Sequence, residues 1–141
     1  MSNQEETPMK ALTPASLPQP FGRYSHGITA PLAGQLVVTS GQLALGPDNH
    51  IPEGAEAQAQ LCFAAIAAIL AEAGATRADI LRVNAFVTDR SHMAGYMAAR
   101  DAFFEGVTPL PASTLVIVQG FTLPEFVVEI EALALVGQPR D

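Results

Sequence analysis

The side chains best suited to chemistry stand near the end of the chain, in EFVVEIEALAL (Glu125 to Leu135). Read as a strand, this segment puts Val127, Glu129, Glu131 and Leu133 on one face and Val128, Ile130, Ala132 and Ala134 on the other. The apolar face belongs against a core, so Glu129 and Glu131 point away from it. If that second face is covered, a carboxylate on it is costly unless paired or hydrogen-bonded, and such settings serve general acid–base work. If it is open, the two glutamates are simply solvated. Tyr24, Ser25 and His26 stand together in GRYSHG (Gly22 to Gly27). A histidine here is either a proton carrier or a strand-end or interface residue. Ser25, Ser40, Ser113 and Cys62 carry nucleophilic atoms, but none sits in an activating motif. Cys62 falls on the apolar stripe of a helix, where it packs. His26, His50 and His92 lack metal-ligand spacing with acids, and a lone cysteine excludes both a cysteine-rich zinc site and an internal disulfide.

The elements that must position these residues follow from periodicity. Residues 1–20 hold Pro8, Pro14, Pro18 and Pro20 among polar residues and read as a tail or irregular arm, leaving residues 21–141 as one domain. His26 to Ala30 and Gln35 to Gly41 are short β-rich runs around PLAG, which predicts a hairpin turning at Ala33-Gly34. Leu45 to Gly54 is a turn-rich loop. Ala55 to Ala73 is the clearest helix, with Cys62, Phe63, Ile66, Ile69, Leu70 and Ala73 as one stripe and Gly74 as its stop. Thr76 and Asp79 can cap a brief turn. Ile80 to Thr88 alternates as a strand, with Leu81, Val83, Ala85 and Val87 on one face. Ser91 is placed to cap a second helix from His92 to Phe104, on which Met93, Tyr96 and Met97 read as packing or interface. Ser113 to Gln119 and Phe126 to Leu135 are the last strands, separated by a turn at Pro124. The outcome is an α+β fold with both helices on one sheet face. Leu115, Ile117 and Phe86 are expected on the opposite face, where further copies of the chain would cover them.

Composition narrows the function. The chain has 141 residues, 49% of them apolar, enough for a single domain with its own core. Charged residues are 15%, below the roughly 25% usual for soluble domains, which points to surface hidden in an oligomer. Seven Lys and Arg against fourteen Asp and Glu give a net charge of −7, which disfavours nucleic acid and anionic membrane as partners. The start, MSNQEETPMK, is not a signal peptide, and the longest apolar run, Leu61 to Ala71, is too short to cross a bilayer, so a cytoplasmic location is expected. There is no Gly-rich phosphate loop and no GxSxG elbow.

GRYSHG, VVTSGQLAL (Val37 to Leu45), AEAGATRADILRVNAFVTD (Ala71 to Asp89), MAGYMAARDAFFEG (Met93 to Gly106), PASTLVIV (Pro111 to Val118) and VEIEALAL (Val128 to Leu135) occur in this order. The pattern resembles the reactive-intermediate deaminase family, also called Rid, YjgF or L-PSP, over about residues 17–137. The resemblance implies a chorismate-mutase-like α+β fold and a homotrimer whose sheets form a central barrel, with clefts between subunits. It also implies cofactor-free hydrolysis of imines and enamines such as 2-aminoacrylate, giving a keto acid and ammonia. Glu129 matches the family glutamate that activates water, Tyr24 the tyrosine lining the pocket, and Ser40 and Gly41 the small residues whose backbone helps hold substrate. Glu129 and the face of Ser113 and Leu115 are thereby expected to border one intersubunit cleft.

The chain departs from the family pattern where deaminases usually read Pro-Ala-Arg-Ser/Thr, the arginine clamping the substrate carboxylate. Here Pro111-Ala112-Ser113-Thr114 places Ser113 at that position. Leu115 stands where cysteine is common, and Met97 where an asparagine often reaches the cleft. Arg23 and His26 replace the commoner proline and glutamine. Three explanations follow: a substrate that is apolar or lacks a carboxylate, a different cation such as Arg100, one helical turn beyond Met97, or loss of the activity. The leading reading is a deaminase with Glu129 catalytic and Tyr24, His26, Ser40, Gly41, Met97, Arg100, Ser113 and Leu115 around the substrate. The contrasting readings are a non-catalytic trimer that binds a small metabolite, and an endoribonuclease, the family's older label.

Overall fold

The alanine-rich run forms α1, Ala55–Glu72, in the computed structural model of the chain, which describes residues 9–137. Residues 1–8 of the expected arm and residues 138–141 lie outside the described residues. Cys62, Phe63, Ile66 and Leu70 make the buried stripe of α1, together with Ala55, Gln58 and Ala59. Ile69 and Ala73, expected on the stripe, lie at its margin and are half-buried. Gly74 ends the helix at φ +74°, the left-handed conformation that suits glycine. Thr76 and Asp79 then form a capping box on the 3-10 turn Arg77–Asp79. The second helix, α2, is Met93–Phe103. Its cap differs from expectation. A 3-10 turn, Arg90–His92, precedes it, and the Asp89 carboxylate accepts the Ser91 amide at 2.9 Å, so Asp89 rather than Ser91 starts the element. Although the uninterrupted apolar run is short, α1 at 18 residues has the length and apolarity of a bilayer-crossing helix. Its stripe is instead spent on α2 and the sheet.

Among the described residues seven strands occur: β1 (Lys10–Leu12), β2 (Gly27–Thr29), β3 (Gln35–Val38), β4 (Gln42–Leu43), β5 (Ile80–Val87), β6 (Ala112–Ile117) and β7 (Val128–Val136). The main sheet runs β3-β7-β5-β6, with β4 also paired to β7. Only β5 and β6 are parallel, joined by α2 as a crossover. The expected hairpin between β2 and β3 does not form. β2 pairs with β1 inside the arm, and β3 pairs antiparallel with β7. Gly34 explains the difference. At φ +91° it lies so close to the Val136 carbonyl that a Cβ would stand 1.9 Å from the oxygen, so it admits β3 to the end of β7 instead of turning it back on β2.

Both helices cover one face of the sheet. Val83, Ala85 and Val87 of β5 and Val128, Ile130, Ala132 and Ala134 of β7 point into that core. A register shift between Ile80 and Arg82 puts Ile80 in the core and leaves Leu81 half-buried, against the simple alternation. The parallel register also corrects β6. Leu115 pairs with Ala85 and so joins the helix side, whereas Val116 pairs with Phe86 on the open face. Ile117, in register with Val87, is on the helix side as well, at an exposed strand end. The open face carries Leu36, Val38 and Val116, exposed by 63%, 64% and 40%, an apolar surface that a second chain can cover.

Gln58, unremarked in the sequence, holds the entrance to β7. It is 1% exposed, donates to the Pro52 and Glu125 carbonyls, and accepts the Val127 amide, each at 2.8–2.9 Å. The loop two residues before Glu129 is therefore tied to α1. Gln58→Leu strands two carbonyls and an amide and is expected to lower the stability read by urea unfolding by about 2–4 kcal/mol. A loss under about 0.5 kcal/mol would show that water replaces these bonds.

Candidate functional site

Glu129 is placed by the break between β3 and β4. Thr39 is buried there, its hydroxyl accepting the Ala132 amide at 3.0 Å and its own amide reaching the Ala132 carbonyl. The chain then bends through Ser40 and Gly41 before β4 resumes pairing, Gln42 with Ile130 and Leu43 with Glu129. This bend lays Gly41 against the Glu129 side chain so closely that a Cβ at Gly41 would sit 2.6 Å from the carboxyl carbon and from Oε1. Ser40 is exposed beside it. Glu131 lies further along the same face and is engaged. Asn84 Nδ2 donates to Glu131 Oε2 at 3.2 Å, and Arg82 donates to both Asn84 and Thr114. Glu129 has no hydrogen-bond or ion-pair partner among the described residues, and its side chain is half-buried. Of the two acids, Glu129 alone is available to a ligand.

On the other side of the sheet, the β6 edge and α2 enclose a cleft of about 210 Å³, lined by Phe21, Gly22, Tyr24, Met97, Arg100, Ser113 and Leu115. Five of these were expected site residues. Met97 and Arg100 share a helix face three residues apart, and Ser113 and Leu115 face them from alternate positions of β6. Arg100 is 4% exposed. Its guanidinium lies between two rings, 5.9 Å from the Tyr24 centroid and 5.8 Å from that of Tyr96. Nε and Nη2 both donate to one oxygen of the neighbouring Asp101, at 3.2 and 3.1 Å. Gly22 keeps its place beside Nη2, since a Cβ there would approach to 3.0 Å. Tyr96 escaped notice in the sequence as more than packing, although its spacing four residues before Arg100 is that of a stacked helical pair. It is wholly buried, and its hydroxyl lies beside Ser113 and Arg100.

The remaining candidates separate from this cleft. His26 is exposed, its Nε2 2.6 Å from the Pro18 carbonyl, where it fastens the arm. Ser25 is buried and donates to the Leu110 carbonyl, pinning the entry loop to the start of β6. Cys62 is a core residue. Burial first, and then the Glu129 charge, pushes its thiol up to about 12, so it holds no thiolate near neutral pH. Glu129 lies on the open face and Ser113 and Leu115 on the helix face, so within one chain they do not border a common cleft.

Gly41→Ala is expected to move the Glu129 carboxylate while leaving the fold intact, so its activity should fall with that of Glu129 variants and its melting temperature should hold within a few degrees. An unchanged activity would detach Glu129 from function. Burial also predicts an alkaline limit. The unfolded chain ionises Cys62 near 9 and Tyr96 near 10, whereas the folded chain keeps both protons to about 12. The unfolded state binds fewer protons across that window, so stability is full below pH 9 and falls as pH rises toward 12. Urea midpoints measured from pH 8 to 11 should show the decline, and Cys62→Ala should flatten it.

Comparison with known proteins agrees with this fold. The family described as Endoribonuclease L-PSP matches residues 14–136. A 2-iminobutanoate/2-iminopropanoate deaminase of Escherichia coli K12 is 33% identical over 129 residues, covering 89% of this chain and 97% of that protein. A RutC family protein of Haemophilus influenzae is 36% identical over 122 residues, 84% of this chain and 90% of its own. Among solved structures, the Rid family protein YyfB from Yersinia pestis superposes with a TM-score of 0.78 at 28% identity, covering 92% of this chain and all of that one. Escherichia coli TdcF with bound serine gives 0.67 at 29%, covering 89% and 98%. A helix-backed mixed sheet is thus the fold of known relatives as well, and the chain belongs to the reactive-intermediate deaminase family, the Rid, YjgF or L-PSP proteins.

Proposed function

We propose that this protein is a cofactor-free hydrolase of small imines and enamines, working as a cytoplasmic homotrimer with a site at each boundary between copies. The observation that carries the reading is the division of the site. Glu129, Ser40 and Gly41 occupy one sheet face, and Tyr24, Met97, Arg100, Ser113 and Leu115 occupy the other, at the β6 edge. Two faces of one sheet meet only across a boundary between chains. Association of the apolar open face with a neighbour's β6 edge brings the acid of one copy to the cleft of the next. The relatives named as deaminases support the same chemistry.

The reaction asks for a positioned water and a proton carrier. The Glu129 carboxylate takes a proton from water as its oxygen bonds to the imine carbon, and the nitrogen gains a proton. The resulting carbinolamine loses ammonia when its C–N bond breaks and its hydroxyl proton passes to the departing nitrogen, leaving the carbonyl. No electrons are exchanged and no metal is required. Ser113, at the position where family deaminases carry arginine, favours one alternative, a trimer that binds a metabolite without turning it over. Endoribonuclease action is disfavoured by the charge of −7.

Imines generated by an amino-acid oxidase and trapped with semicarbazide discriminate these readings. The protein should speed imine loss, and Glu129→Gln should slow it by about 10²–10⁴-fold. Light scattering should report three copies. Imine lifetimes that the protein leaves unchanged, or a stable single subunit, would overturn the proposal.

A further inference from the structure

Resting on the deaminase reading, we propose that Arg100 anchors the substrate carboxylate from α2, and that Met97 and Leu115 make the cleft selective for 2-imino acids with apolar side chains larger than methyl. The strand position normally given to arginine is Ser113, and Arg100 enters the same cleft from the facing wall. A guanidinium offers five N–H donors. Here Asp101 accepts from two nitrogens through a single oxygen, and that carboxylate is itself 41% exposed. The Tyr24 and Tyr96 rings stabilise the guanidinium through their faces. A buried cation with spare donors is unfavourable until an acceptor arrives, and a carboxylate supplies one with matching geometry.

The Ser113 hydroxyl opens into the same cleft from β6. The Tyr96 hydroxyl is buried beside Arg100 and Ser113. Guanidinium edge and serine hydroxyl are both donors, and a carboxylate is a group that accepts from both. The tyrosine sandwich also sets the guanidinium plane in advance, so little conformational freedom is lost on binding. The rest of the lining, Phe21, Met97 and Leu115, is apolar and includes no acid. Serine in place of arginine leaves space on the β6 side, and Met97 and Leu115 present hydrocarbon to it. The cleft of about 210 Å³ is below the ~300–1,000 Å³ of pockets for larger ligands, which fits a molecule of amino-acid size.

The test measures binding separately from turnover, by calorimetric titration of the full-length protein with 4-methyl-2-oxopentanoate, its amide, and 2-oxopropanoate. The wild-type protein should bind the branched acid roughly 30- to 1,000-fold tighter than the amide and about tenfold or more tighter than 2-oxopropanoate. Arg100→Gln should abolish the acid–amide difference and raise KM for the leucine-derived imine more than it lowers kcat. Asp101→Asn, which frees the guanidinium, should tighten acid binding. Since Arg100 is buried, the wild-type acid–amide comparison carries the test even if the Gln variant fails to fold. Equal binding of acid and amide overturns the anchor, and a preference for 2-oxopropanoate overturns the apolar selectivity. An acid preference without imine hydrolysis sinks the deaminase reading and leaves the anchor. Hydrolysis with acid and amide bound alike does the reverse.

Discussion

β7 is hydrogen-bonded along both edges, to β3 and β4 on one side and β5 on the other, and its core-facing side chains Val128, Ile130 and Ala134 are completely buried beneath the helices. Because side chains alternate along a strand, that burial drives Glu129 and Glu131 onto the opposite face with no freedom to choose. A slip of one residue would bury both carboxylates and expose the core row. The placement of the acid is therefore secured by the hydrophobic effect acting on its neighbours. Gln58 reinforces the register from the loop end, and the Thr39 hydroxyl reinforces it where β3 breaks.

The two acids on that face have different fates. Glu131 joins a row of polar side chains across β7, β5 and β6 that ends at Arg82 and Thr114, so its charge is structural. Glu129 has glycine where a side chain would otherwise crowd it, and no described partner. Around it the sheet face is apolar, with Leu36, Val38 and Val116 exposed. Such a surface is unfavourable in water and suited to contact with another chain.

Family membership accounts for the shared fold. In this chain a serine on β6 and an arginine on α2 line the same cleft, which puts its positive charge on the helix wall. The cost is a buried guanidinium, and two tyrosine rings and Asp101 offset part of it. That arrangement differs from a strand arginine in what it leaves free, namely hydrocarbon from Leu115 and Met97 facing the space beside Ser113.

Local pattern decided much of this protein. The α1 boundaries, the Gly74 stop, the Thr76–Asp79 cap and the alternation of β7 are short-range consequences of spacing and residue type, and they appear in the fold as the sequence implies. Ordered motifs also identified the family. What depended on distant partners did not follow from pattern. β3 prefers β7 to β2 because Gly34 can approach Val136, the face of Leu115 is assigned by its pairing with Ala85, and Met97 and Arg100 line a cleft with Ser113 and Leu115 only when α2 lies over β6. Alternation and capping act over a few residues and are written in the chain. Strand partners, register shifts and the enclosure of a charge arise between segments tens of residues apart, where packing alone selects among pairings that local sequence leaves equivalent.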